Sequence, residues 1–152
     1  MLPNRFALSC SLMISITLTV GCSRKVAEPS AAELADQQKP SRRVTLKEVQ
    51  PIFSRNCIAC HNPSGMDTGV PLGNLILLEG QAADGLINVH SIESPLVRVF
   101  PGSLSKSYLY YKLHGTFASV GGVGSKMPLG GTLSPDDLAL IDDWILSGAP
   151  LQ

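Results

Sequence analysis

The chain has 152 residues, 12 of them Lys or Arg and 12 Asp or Glu, so its formal net charge is zero. That length suits one domain after removal of a targeting segment, and with a neutral balance and no RNA- or DNA-binding motif nothing points to nucleic acid. Aromatic residues make up only 5%, against 14 Gly and 11 Pro, a mix that predicts short helices and long loops around a core in which a large bound group supplies missing apolar mass.

Met1 to Arg5 carries one positive charge, Phe6 to Val20 is apolar or small throughout, and Gly21-Cys22 follows. This is the layout of a secretory signal, and the run is short for a stable membrane span of about 20 residues. Its end, Leu18-Thr19-Val20-Gly21-Cys22, resembles a bacterial lipobox. The resemblance implies a signal peptide over 1–21, cleavage before Cys22 and lipidation of Cys22; the other reading is an ordinary signal with an incidental cysteine. Cys10 lies within the apolar run and leaves with it. The expected location is therefore the periplasmic side of a bacterial membrane, with Cys22 as a lipid anchor.

Residues 22–43 are polar, with Pro29 and Pro40 and no sustained apolar period, and read as a flexible tether. A short helix at Ala31–Gln37 would have little to pack against. The folded domain is expected over 44–152, and four helices can be placed in it. The first leads into Cys57: Thr45 and Glu48 have capping-box spacing, and Val49, Ile52 and Phe53 form an apolar stripe. Pro51 is expected to kink this helix or to open it. The second lies near Leu78–Ile87, where Leu78, Ala82 and Leu86 share a face. The third runs near Ser105–Leu113 and stops at Gly115. The fourth has Ser134 as N-cap, Pro135 in its first turn, Asp136 and Asp137 at its positive end, and Gly148 as its stop. Between the last two lies a Gly-rich loop, Phe117–Thr132, carrying Met127-Pro128. No strand signal is comparably strong, so the expected class is all-α.

The first helix runs into Cys57-Ile58-Ala59-Cys60-His61. A thioredoxin-type CxxC opens a helix after a strand, where the helix N-terminus lowers the thiol pKa; this one follows a helix. A structural zinc site needs four ligands, and the chain has no second CxxC or HxxxH pair. Covalent haem gives every residue a reason: two thiols add to two vinyl groups, and the adjacent His61 becomes an iron ligand. The export signal agrees, because c-type haem attachment in bacteria takes place outside the cytoplasm. Candidates for the second iron ligand are Met66, His90, His114 and Met127. Met66 is too close to His61 in sequence to reach the opposite haem face. Met127 sits on the Gly-rich loop, with Pro128 restricting its backbone. Bis-histidine ligation through His90 or His114 is the second choice.

The segments VQPIFSRNCIACH, SPLVRVFPGSLSKSYLYYKLHGT and SKMPLGGTLSPDDLALIDDWILSGAP resemble, in that order, the class I cytochrome c domain of small exported monohaem proteins. The resemblance covers about 44–150. It implies a cytochrome c-like all-α fold, with Cys57 and Cys60 as thioether sites of one haem c and His61 and Met127 as axial iron ligands. It also implies a proline carbonyl, from Pro71 or else Pro63, orienting His61. Val49, Phe53, Leu138, Ile141 and Trp144 would form the helix crossing and the haem wall. The implied function is one-electron transfer with transient redox-protein partners rather than catalysis. Two other readings are a haem-based gas- or peroxide-binding module and an electron-input domain of an exported redox complex.

Overall fold

The computed structural model describes residues 28–40 and 42–152. The expected signal peptide and Cys22 lie outside the described residues. Within the described residues no helix is long and apolar enough to cross a membrane.

Five α-helices occur among the described residues: α1 (Ala31–Asp36), α2 (Leu46–Asn56), α3 (Ala82–Leu86), α4 (Tyr108–His114) and α5 (Pro135–Leu146). Single 3-10 turns lie at Leu72–Asn74 and Phe117–Val120. Glu48 folds back at the start of α2 to accept from the Thr45 N–H at 2.9 Å and from its hydroxyl at 3.0 Å. That satisfies one of the donors that a helix start leaves without an intrahelical partner. Pro51 neither opens nor stops the helix, which continues past it to Asn56. The residue is exposed, and so is Lys47, whose carbonyl loses its usual partner to the proline; water can replace that bond.

At α5, the Ser134 hydroxyl accepts from the Asp137 N–H at 3.1 Å, Pro135 sits in the first turn, and Gly148 follows with φ +89°. The two long helices pack together through Phe53 and Trp144, whose rings meet edge to face at 6.2 Å. Trp144 is fully buried, and its Nε1–H donates to the Pro150 carbonyl at 3.1 Å. The same carbonyl accepts from the Leu46 N–H at 2.7 Å, so the C-terminal turn is tied to both helices.

The expected second helix shortens to Ala82–Leu86, and the expected third begins at Tyr108 rather than Ser105. The reason for the later start is local. The buried Ser107 hydroxyl donates to the Ser103 carbonyl at 2.6 Å and accepts from the Phe100 N–H at 2.8 Å, holding 100–107 as a turn. Ser side chains compete with helix in this way.

The expected all-α, cytochrome c-like fold is corrected here. The described residues form a small mixed architecture, about 39% helical, with no strand and with much of the chain irregular. Its middle, 87–107, is built on isolated bridge pairs, Ile87 with Val99, His90 with Val97, Val97 with Ser107 and Phe100 with Ser103. Among the described residues no three or more His, Cys, Asp or Glu side chains form a metal-binding group.

The segment expected to be a tether is also more ordered than its polarity suggests. Ser30 caps α1, Ala32 is buried, and the Asp36 carboxylate accepts from the Leu104 and Ser105 amides and, at 2.8 Å, from the Ser103 hydroxyl. Charge-assisted bonds of this kind contribute about 1.5–3 kcal/mol. Asp36→Ala is expected to free α1: hydrogen exchange should accelerate over 31–37 while the amides of α2 and α5 keep their protection.

Candidate functional site

The CxxCH sequence begins where α2 ends. The Cys57 N–H still donates to the Phe53 carbonyl at 2.8 Å, and the chain then turns tightly, with the Cys60 and His61 amides both donating to the Cys57 carbonyl at 3.1 and 2.9 Å. Asn62 locks this turn. Its side-chain amide donates to the Ile58 carbonyl at 2.7 Å and the Ala59 carbonyl at 3.1 Å, while its oxygen accepts from the Ser64 N–H at 2.7 Å and the Gly65 N–H at 3.0 Å. The Leu77 N–H closes the other side by donating to the His61 carbonyl at 2.9 Å.

The motif opens onto a cavity of about 520 Å³ whose wall is mainly apolar. Cys57, Cys60, His61 and Met127 all line it, together with Phe53, Leu77, Leu86, Leu113 and Ile141. A volume of several hundred Å³ matches small-molecule and cofactor sites. Of the five residues expected to form the helix crossing and the wall, Phe53 and Ile141 line the cavity. Val49 and Trp144 are buried in the core, and Leu138 is half-buried against it.

His61 Nδ1 lies 3.0 Å from the Leu72 carbonyl. A carbonyl only accepts, so Nδ1 carries the proton and Nε2 keeps the lone pair needed by a metal. The orienting carbonyl belongs to Leu72 and not to Pro71, which corrects the expectation by one residue: Pro71 precedes the 3-10 turn and does not line the cavity. Pro63 is exposed. Burial pulls the His61 pKa below its ordinary 6.5, opposed by the Leu72 carbonyl.

Cys57 and Cys60 are both free. Burial, reinforced by Cys60, pushes the Cys57 thiol up to about 11. A redox CxxC works through a lowered thiol pKa, so this environment disfavours that chemistry. Cys60 Sγ lies 3.2 Å from Met66 Sδ, but Met66 is exposed and outside the cavity wall. His90 is exposed. His114 bonds Asp142 through Nε2 at 2.9 Å, and neither histidine lines the cavity.

Three cavity residues carry charge that the sequence reading does not single out. Arg98 is 8% exposed, and its guanidinium donates to the carbonyls of Gly85, Gly73 and Asn74 at 2.7, 2.8 and 3.2 Å. No carboxylate of the described residues pairs with it. Lys112 is 7% exposed and pairs with Glu93 at 2.8 Å. The available signal was a charge inside an apolar run, Leu96-Val97-Arg98-Val99-Phe100 and Tyr110-Tyr111-Lys112-Leu113.

The donor set fits a covalently held haem: two thiols, an imidazole with a free Nε2 lone pair, a thioether, an apolar wall, and a buried cation for a carboxylate. It does not fit a bare ion, for which the described residues hold no group of three or more His, Cys, Asp or Glu. Comparison with protein-family models, curated proteins and solved structures gives no match.

Two outcomes follow for the haem-free chain. Cys57 should resist alkylation near neutral pH and react only as pH rises towards its raised pKa; rapid labelling at pH 7 would contradict the burial. The folded His61 pKa lies below the unfolded value of about 6.5, so between those values the unfolded chain binds more protons. Stability should therefore fall as pH drops through that window, and an NMR titration placing His61 above 6.5 would exclude it.

Proposed function

We propose that this chain holds one haem covalently through Cys57 and Cys60 and serves as a one-electron carrier, with His61 and Met127 as the axial iron ligands. The observation that carries the reading is that these four residues, up to 70 positions apart in sequence, line one largely apolar cavity. Bound haem supplies an Fe(III)/Fe(II) couple.

The chain's own residues have distinct tasks. Cys57, whose thiol burial keeps protonated at neutral pH, and Cys60 would hold the haem through thioether bonds. His61 presents Nε2 because Nδ1–H is held by Leu72. Met127 offers a thioether, which as an iron ligand would favour the reduced state and would keep O₂ and peroxide from the metal. Arg98 holds a carboxylate of the bound group, giving its buried guanidinium a counter-charge. Ile92 and Leu129 line the cavity yet are 70% and 66% exposed, an apolar rim for brief docking of redox proteins. The proposed setting is the periplasmic side of a bacterial membrane, anchored at Cys22.

Expression in a host that attaches haem outside the cytoplasm tests this. Intact mass should exceed that of the polypeptide by one haem, with a c-type pyridine haemochrome, and Cys57→Ser with Cys60→Ser should abolish both. A mass equal to the polypeptide would end the proposal. Met127→Ala should lose the Fe(III)–Met charge-transfer band and gain CO binding in the reduced state. Wild type that lacks the band and binds CO would instead identify a gas-binding module.

A further inference from the structure

Building on that reading, we propose that Lys112 is a positioning residue for Met127, pinning the Gly-rich loop at two points so that the thioether stays in the cavity. The Lys112 carbonyl accepts from the Met127 N–H at 3.0 Å. Its ammonium reaches the other way along the same loop and donates to the Val123 carbonyl at 3.2 Å. One residue of α4 therefore holds both ends of the stretch 123–127.

The surroundings converge on the same peptide. Tyr108, one helical turn before Lys112 and on the same face, donates its hydroxyl to the Val123 carbonyl at 2.9 Å. The Val123 N–H donates to the Glu93 carbonyl at 3.0 Å, and the Glu93 carboxylate pairs with the Lys112 ammonium at 2.8 Å. The ammonium also stands over the Phe117 ring at 5.0 Å and the Tyr108 ring at 5.6 Å. The Val123 side chain is 60% exposed, so apolar burial does not hold the loop there and the polar contacts must. The glycines permit the approach. A Cβ on Gly122 would lie 2.5 Å from a Tyr108 ring carbon, and one on Gly124 would lie 2.7 Å from Glu93 Oε1 and 2.9 Å from Lys112 Nζ.

A buried ammonium is costly unless paired and hydrogen-bonded. Here the cost is offset by Glu93, the Val123 carbonyl and two ring faces, and the Val123 carbonyl is within reach only while the loop is closed. An open loop would strip the Val123 acceptor from the charge, so the charge favours closure. Lys112 is not an iron ligand in this arrangement; it acts through Met127.

Lys112→Met tests the inference, because it keeps the length and the main-chain bond to Met127 and removes only the ammonium. In the haem-loaded full chain the expected result is unchanged far-UV helix signal, loss of most of the Fe(III)–Met band, appearance of CO binding and a lowered reduction potential. In the haem-free chain, amides at 123 and 127 should exchange about five- to tenfold faster while α2 and α5 stay protected. Tyr108→Phe, which removes the second donor to the Val123 carbonyl, should move the same readouts less far and decides the matter if Lys112→Met does not fold. Unchanged band, potential and loop exchange in the folded variant would overturn the inference. Wild type without covalent haem would instead sink the carrier reading, and the haem-free exchange would still show whether Lys112 pins the loop.

Discussion

The edge-to-face contact of Phe53 on Trp144 is the constraint on which the site depends. It fixes α2 against α5, and α2 ends at Cys57, so the contact sets where the CxxCH turn begins. Phe53 also lines the cavity, as does Ile141 of α5. The same two helices therefore provide the core and part of the wall. The Pro150 carbonyl, bonded by both Leu46 and Trp144, keeps their ends in register. With so few aromatic residues, the chain places its only tryptophan where one side chain stabilises both helices.

Charge inside the wall shapes the loops that the helices leave open. Arg98 gathers the carbonyls of Gly73, Asn74 and Gly85, and Gly73 and Asn74 belong to the turn that supplies the Leu72 acceptor for His61. Lys112 does the corresponding work on the Met127 side. In each case a long cationic side chain replaces a missing sheet as the cross-link between irregular segments. The cost is desolvation, and burial accordingly lowers the Arg98 pKa. Many main-chain acceptors make that cost tolerable.

The parts legible in the sequence are those written in local chemistry. The caps of α2 and α5 follow from Thr45, Glu48, Ser134 and Pro135, because capping needs only residues a turn apart. The stop of α4 at Gly115, with φ +76°, is likewise local. What escaped depends on distant partners. Residues 87–107 carry no strand pattern, yet pair through scattered bridges and Ser side chains, so neither the irregular middle nor the departure from an all-α fold had a periodic signal. Asp36 looks like one more charge in a polar segment; its partners lie at 103–105. At the site, Cys57, Cys60, His61 and Met127 could be named from motif and loop composition. Leu72, Arg98 and Lys112 could not, since each acts through a main-chain group or a distant loop.

The cavity residues are held with unequal security. Cys57, Cys60 and His61 fall within five residues, on a turn locked by Asn62, so ordering them closes almost no loop. Met127 is 66 residues beyond His61, and closing a segment of that length carries an entropy cost that grows with its logarithm. The bond from Met127 to Lys112 divides the problem. It leaves only the short segment after α4 to be ordered around Met127, and the glycines there remove steric objections at the price of backbone freedom. The Val123 contacts reduce that freedom again. Tight control at His61 and a separately latched loop at Met127 suit the proposed electron carrier, in which both ligands would stay in place as the iron changes oxidation state.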